Sequence, residues 1–378
     1  MNPAPAGSGP VGVAVVGAGV ISAEYLRTLS RFPDVRVVAV ADLDEERAAA
    51  VARTHGIPEA GGPASVLAMP EVELVVNLTV PAAHAQVAAA ALRAGKHVYG
   101  EKPITLAPAE AEKLLAEASE RGLRVGNAPD TFLGAGLQSA LRAVAAGHIG
   151  VPVAAATVTQ GPGPEAWHPD PAFFYQPGAG PLFDLGPYYL TALVALFGSV
   201  SEVAATAARA RVERVVGSGP KAGQPFPVDV PTHVSSLIGF ASGVRAASTF
   251  SFDSALRRIR FEITGTEGTL AVPDPNTFGG PLKLLPSGRE EWRELPVRGR
   301  TDGRGLGVVD MARALRGGGP HRASGALALH VLQTMTAITH SARRSEFLPL
   351  ATQLVPPEPL PEEWDPREAT LGNGSAAT

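Results

Sequence analysis

The residues with the most specific chemistry lie in one tetrapeptide, Gly100-Glu101-Lys102-Pro103. It closes the segment Gly95-Lys96-His97-Val98-Tyr99 and reads as the mouth of a parallel strand, where open α/β sheets bind their ligands. In a partly desolvated cleft a lysine there has a lowered pKa and can exchange a proton with a reacting oxygen, or simply hydrogen-bond it. Glu101 opposes that shift by favouring the charged form. A solvated strand-end lysine is the alternative. A second constellation is Asp184 and Tyr188, four residues apart around an expected helix start with Pro187 in its first turn. That face could present a carboxylate and a phenol to one substrate, and a cation such as Lys102 would lower the phenol's pKa from about 10. Tyr188 as a packed aromatic is equally open. Trp167-His168 and Phe173-Phe174-Tyr175 precede this pair. Aromatic faces suit the C–H face of a sugar ring, and His168 is the imidazole among them; a structural loop staple is the other reading. Asp130 follows the sixth strand and is expected to face the same cleft.

The elements that must position these groups are legible as repeated βα units. A β-branched strand at Val11–Val16 runs into Gly17-Ala18-Gly19-Val20-Ile21-Ser22 and a helix through Tyr25, Leu26 and Leu29. Gly17 permits the tight turn, and Gly19 lets a pyrophosphate approach the helix N-terminus. Ser22 stands where a third glycine is usual. The strand at Val35–Ala41 ends in Asp42, placed to meet the ribose hydroxyls of an adenosine and to repel a 2′-phosphate, which favours NAD over NADP. Asp44 is the better cap for the helix Glu45–His55. Further strands are expected at 74–78, after Gly95 up to Glu101-Lys102-Pro103, and at 123–126, with helices at 82–94 and 108–121. Short loops between them indicate a doubly wound parallel sheet.

After Gly126 the texture changes. Paired strands at 234–240 and 244–252, and at 258–264 and 269–272, flank turn sequences and indicate a largely antiparallel sheet. A helix is expected at 187–197, after a loop at 167–184, and another at 326–341. The boundaries expected are a flexible tail at 1–10, a dinucleotide domain at 11–126, an α+β domain for substrate and oligomerisation at 127–365, and a mobile tail at 366–378.

Composition narrows the function. The chain of 378 residues exceeds one ordinary core. A net charge of −4 leaves no basic excess for nucleic acid. Zero cysteines exclude disulfides, thiolate catalysis and thiolate metal sites. No His/Asp/Glu cluster has metal-ligand spacing, so no metal is expected. The N-terminus lacks a signal-peptide pattern, and the apolar run at 188–197 is too short to span a bilayer, so a cytoplasmic protein without a membrane partner is expected.

In order along the chain, Gly17-Ala18-Gly19-Val20-Ile21-Ser22, Thr79…Pro81…His84, Gly95-Lys96-His97-Val98 leading to Glu101-Lys102-Pro103, and Gly180…Asp184-Leu185-Gly186-Pro187-Tyr188 resemble the glucose–fructose oxidoreductase / inositol 2-dehydrogenase / MocA family. The resemblance implies a Rossmann domain followed by a domain with a large, mostly antiparallel open sheet, through which dimers or tetramers form. It implies that Gly17, Gly19, Val20 and Ile21 cradle the pyrophosphate and Asp42 holds the ribose. Thr79 and Pro81 would line the groove, with His84 close by and Glu101 on the nicotinamide ribose side. Lys102 would be catalytic, and Asp184 would position the substrate. Where many members carry a catalytic His, this chain has Tyr188, so Tyr188 or His168 is the candidate replacement. The implied activity is hydride transfer between NAD and a carbinol carbon of a sugar, polyol or sugar derivative. Transient oxidation that cleaves a glycoside or eliminates a group, and a non-catalytic NAD- or sugar-responsive regulator, are the rival readings.

Overall fold

The structure is a computed structural model that describes residues 7–372. The outer ends of both expected tails, 1–6 and 373–378, lie outside the described residues. The chain forms two compact units.

The first unit holds the chain up to Gly134, together with Gly299–Leu329 and the segment from Pro357. Its six strands are β1 (Val11–Val16), β2 (Val35–Ala41), β3 (Glu59–Gly61), β4 (Leu74–Asn77), β5 (His97–Gly100) and β6 (Val125–Asn127). All pair in parallel, in the order β3-β2-β1-β4-β5-β6. This is the doubly wound order whose direction of winding reverses between β1 and β4. β1 and β4 are buried throughout, as their β-branched composition requires of central strands covered on both faces. The crossovers carry α1 (Val20–Leu29), α2 (Glu45–His55), α3 (Pro63–Leu67), α4 (His84–Arg93) and α5 (Pro108–Glu120). Asp44 caps α2, its side chain accepting the Arg47 N–H, and Gly56 ends α2 at φ 66°.

The second unit comprises Ala135–Arg298 and His330–Pro356. It contains α6 (Ala135–Ala145), β7 (Pro152–Gln160), α7 (Gly180–Phe197), β8 (Val200–Ala208), β9 (Glu213–Val215), β10 (Pro225–Pro227), β11 (His233–Phe240), β12 (Arg245–Ser251), β13 (Arg258–Gly265), β14 (Gly268–Ala271), β15 (Leu282–Pro286) and β16 (Arg293–Leu295). The helix α8 (Leu306–Gly317) belongs to the first unit, α9 (Gly325–Arg344) begins there and ends in the second, and β17 (Leu348–Pro349) is in the second. The large sheet runs β16-β15-β14-β13-β7-β12-β11-β8-β17. Its pairs are antiparallel except β7 with β12, so β7 sits between the two hairpins read from the sequence and makes the sheet mixed.

Three expectations need correction. The first unit is not confined to 11–126. The segment after Gly299 returns to it: Asn127 donates to the Ala323 carbonyl, Asp310 pairs with Arg322, and α8 packs on β6. No local signal in the sequence announces that return. The tail from 366 is also held in place as far as it is described. Asp34, fully buried, accepts from Arg313 Nε (2.7 Å), Thr370 N–H (2.9 Å) and Leu371 N–H (2.8 Å). Finally, α7 starts at Gly180, not at Pro187. Pro181 occupies the first turn, and Pro187 lies inside the helix. An interior proline costs about 3 kcal/mol; here burial of nearly every residue from Gly186 to Phe197 offsets it. The helix is thereby 18 residues long and, by length and composition, apolar enough to cross a membrane, but 78% of it is buried inside the structure as a core helix against β11 and β12.

Candidate dinucleotide site

The first unit builds a crevice at the carboxyl ends of β1, β2 and β4. Gly17 ends β1 at φ 103°, its N–H donating to the Ala41 carbonyl at 2.8 Å. A Cβ there would stand 2.7 Å from the Leu78 carbonyl carbon, so both conformation and space demand glycine. Gly19 differs. A Cβ on it meets nothing within 4 Å, because it faces open space at the N-terminus of α1. Among the described residues no side chain caps that terminus, and its first turn has no carboxylate. Free N–H groups and the positive end of the helix dipole thus point into an open cradle that suits a pyrophosphate. Ser22 is buried, and its hydroxyl donates back to the Gly19 carbonyl at 2.6 Å, which is how it stands in for the third glycine.

Asp42 closes the far side. Its Oδ2 accepts the Ala18 N–H at 2.8 Å and its Oδ1 the Asp44 N–H at 3.0 Å. Arg47 reaches back from the first turn of α2, with Nη2 2.6 Å from Oδ1. Burial pushes the Asp42 carboxyl up, but the Arg47 guanidinium and the two N–H groups outweigh it and hold the group below its ordinary value. An ionised carboxylate therefore stands beside the glycine turn, where ribose hydroxyls can donate to it. Asp44, not Asp42, caps α2. Arg47 was not singled out from the sequence, although its place five residues after Asp42 was the available signal.

Three large apolar side chains lie in solvent where the chain leaves β1, β2 and β4: Val20 at the start of α1 (96% exposed), Leu43 (92%) and Val80 (67%). Their exposure beside the glycine turn and Asp42 suits a surface that a ligand covers. Ile21 is half-buried and Pro81 exposed on the same rim.

Thr79 and His84 are tied together behind it. Asn77, buried, accepts the Thr79 hydroxyl at 2.7 Å, and its amide donates to the His84 carbonyl at 3.0 Å. The His84 ring is buried and meets the backbone carbonyls of Pro103 (2.6 Å) and Thr79 (3.0 Å). It belongs to the scaffold of the crevice and does not line it. Glu101 is buried too. Its carboxylate accepts the Tyr25 hydroxyl (2.9 Å) and the Lys102 N–H (2.9 Å), with Arg304 3.8 Å away. Lys102 itself is half-buried, on the loop after β5. In the sequence Tyr25 reads as part of the apolar pattern of α1, and Arg304, in a polar loop, lies 203 positions from Glu101, so no local spacing ties either to the site. Asp130 is fully buried and does not present itself to a ligand. Its Oδ2 accepts the N–H groups of Gly305 (2.8 Å) and Gly307 (3.1 Å) and so caps α8. Burial raises its pKa, against the Arg304 cation.

The remaining candidates lie in the second unit. Asp184 and Tyr188 are both on α7, one helical turn apart, with Asp184 half-buried and Tyr188 buried. Tyr189 is the fully packed neighbour, donating to Asp274 at 3.1 Å. Trp167 is 60% exposed and forms an edge-on cluster with His168, Phe173 and Phe174. His168 Nδ1 accepts the Asp170 N–H at 3.0 Å. Arg214, buried between Glu165 and Asp253, anchors this loop, since Glu165 also accepts the Tyr175 hydroxyl.

Known proteins carry the same pattern. Profiles of an oxidoreductase family with an NAD-binding Rossmann fold match residues 11–128, and the GFO/IDH/MocA C-terminal domain matches 137–271. Trans-1,2-dihydrobenzene-1,2-diol dehydrogenase of Oryctolagus cuniculus is 31% identical over 269 residues, spanning 69% of this chain and 75% of that protein. Inositol 2-dehydrogenase 3 of Saccharopolyspora erythraea is 33% identical over 163 residues, 42% of this chain and 48% of that one. A levoglucosan dehydrogenase solved with NADH and levoglucosan superposes with a TM-score of 0.77 over 91% of this chain and 100% of that one, at 22% identity. The chain belongs to the GFO/IDH/MocA family of NAD-binding oxidoreductases.

Proposed function

We propose that this chain is an NAD-dependent dehydrogenase or ketoreductase acting on a carbinol carbon of a hydroxylated ring: a sugar, polyol or sugar derivative. The observation that carries the cofactor part is the open cradle at Gly19 with the ionised Asp42 carboxylate beside it. The substrate part is supported by relatives whose names specify a dihydrodiol, an inositol and levoglucosan. Nicotinamide bound in this crevice supplies the two-electron chemistry. The chain's own residues bind and orient. Gly17, Gly19, Val20 and Ile21 hold the pyrophosphate, Asp42 the adenosine ribose, and Thr79 and Pro81 the inner groove. Lys102 holds the reacting oxygen and takes or returns its proton. Asp184 and Tyr188 of α7 are the second unit's candidates for substrate binding and proton exchange, with Trp167 and His168 as a ring-stacking surface.

The open face of the large sheet supports a homo-oligomer. Leu237 lies opposite Ala204 and Ala247, and Ala247 lies opposite Ala156, a flat stripe of small apolar groups. A small-molecule enzyme of a reducing compartment fits the absence of cysteine.

The test is a screen of NAD and NADP reduction against sugars, inositols, dihydrodiols and anhydrosugars. Turnover on at least one hydroxylated ring, with NAD preferred, is expected. Tightly bound NAD that supports glycoside cleavage without net NADH would overturn the reading.

A further inference from the structure

The loop carrying Lys102 is pinned on both sides. Glu101 accepts the Lys102 N–H at 2.9 Å. One residue later, the Pro103 carbonyl meets His84 Nδ1 at 2.6 Å. The other nitrogen of the same ring, Nε2, lies 3.0 Å from the Thr79 carbonyl. His84 is 2% exposed, and its own carbonyl is held by Asn77, which also holds the Thr79 hydroxyl. Both partners are acceptors, so the ring donates from each nitrogen in its imidazolium form; in that form one buried ring joins the loop after β4 to the loop after β5, and those strands are hydrogen-bonded neighbours.

We propose that His84 is a positioning residue with two separable duties: its Nδ1 contact sets the Lys102 loop, and its Nε2 contact sets the Thr79 turn that receives the dinucleotide. The proposal rests on Lys102 acting at the substrate oxygen. The duties separate because two amides mimic one ring nitrogen each. An asparagine amide falls where Nδ1 lies, and a glutamine amide reaches where Nε2 lies. His84→Asn keeps the Pro103 contact and loses the Thr79 contact. His84→Gln does the reverse. Simple packing would make the two variants behave alike.

The experiment compares the full-length wild type, His84→Asn, His84→Gln and Lys102→Ala. It measures NADH affinity by fluorescence, kcat and KM on a substrate from the screen, and backbone hydrogen exchange without ligands. Losing one contact to a buried carbonyl changes the affected property by about tenfold. His84→Asn is expected to weaken NADH about tenfold and keep kcat within about threefold. His84→Gln is expected to bind NADH as wild type does and lose about tenfold in kcat. Exchange should quicken after β4 in the first variant and after β5 in the second. Parallel losses in both variants, or unchanged exchange in both loops, overturn the proposal. Wild-type turnover in Lys102→Ala removes the lysine's role and the positioning claim with it, and the exchange measurement then reports separately whether the clamp exists.

Discussion

Replacing Asp42 with asparagine removes one negative charge from the end of β2 and almost preserves its shape. In the native chain the carboxylate serves three donors: Ala18 N–H at 2.8 Å, Asp44 N–H at 3.0 Å and Arg47 Nη2 at 2.6 Å. Asparagine keeps one acceptor oxygen, so one backbone N–H loses its partner, at a cost of about 1–3 kcal/mol. The Arg47 side chain is half exposed, so solvent screening leaves its ion pair a minor contributor to stability. Stability therefore falls by about 1–3 kcal/mol, and the fold survives. Cofactor binding changes more. Ribose hydroxyls donating to a carboxylate make charge-assisted bonds worth about 1.5–3 kcal/mol, so NADH affinity falls about 10- to 150-fold. NADPH moves the other way. Its 2′-phosphate no longer faces a carboxylate, and Arg47, released from Asp42, can pair with it. Fluorescence titration of both nucleotides against wild type and Asp42→Asn, with circular dichroism to verify the fold, reads the switch. NADH affinity unchanged within about twofold, or NADPH weakening in step with NADH, refutes the ribose role of Asp42.

Gly17→Ala should destabilise by more than about 1 kcal/mol, because φ is positive and the new Cβ meets the Leu78 backbone. Gly19→Ala should leave stability within about 1 kcal/mol yet weaken NADH, because its Cβ enters only the open cradle; thermal melts and titrations separate the two. Tyr25→Phe removes a donor from the buried Glu101, so a loss of about 1–3 kcal/mol in stability is expected in urea melts. Burial, with help from the Arg124 cation, lowers His97 to about 4, and burial also lowers His321 and His330. Unfolded imidazoles titrate near 6.5, so between that value and about 4 the unfolded chain binds more protons and stability falls as pH falls. His97 alone accounts for up to about 3 kcal/mol of that loss, and His97→Gln should flatten the slope between pH 7 and 5. Unfolding midpoints that hold steady across that range in wild type would contradict the buried neutral state.

The sheet of the first unit was legible because central parallel strands are uniformly apolar and their turns need glycine at fixed places. Val11–Val16, Gly17 and Asp42 stand where their pattern puts them. The hairpins at β11–β12 and β13–β14 were legible from their turns. What the sequence concealed was contact between distant segments. Asp130 looks like a cleft carboxylate until Gly305 and Gly307 arrive, 175 and 177 residues later, to use it as a cap. Tyr25 looks like core until Glu101 meets its hydroxyl. The start of α7 was obscured by two prolines six residues apart, either of which could open a helix. His84 was read as a neighbour of the cofactor, and only the two backbone carbonyls reveal it as a link between loops.

The central claim is that the loop after β5 carries the acid–base group of an NAD-dependent dehydrogenase. Its most direct test is Lys102→Ala, measured for NADH affinity and for turnover on the best substrate of the screen. NADH binding should stay within about threefold of wild type while turnover falls by about 10²- to 10⁴-fold, as for loss of a general acid–base group. Turnover close to wild type, in a variant that folds and binds NADH, would contradict the claim.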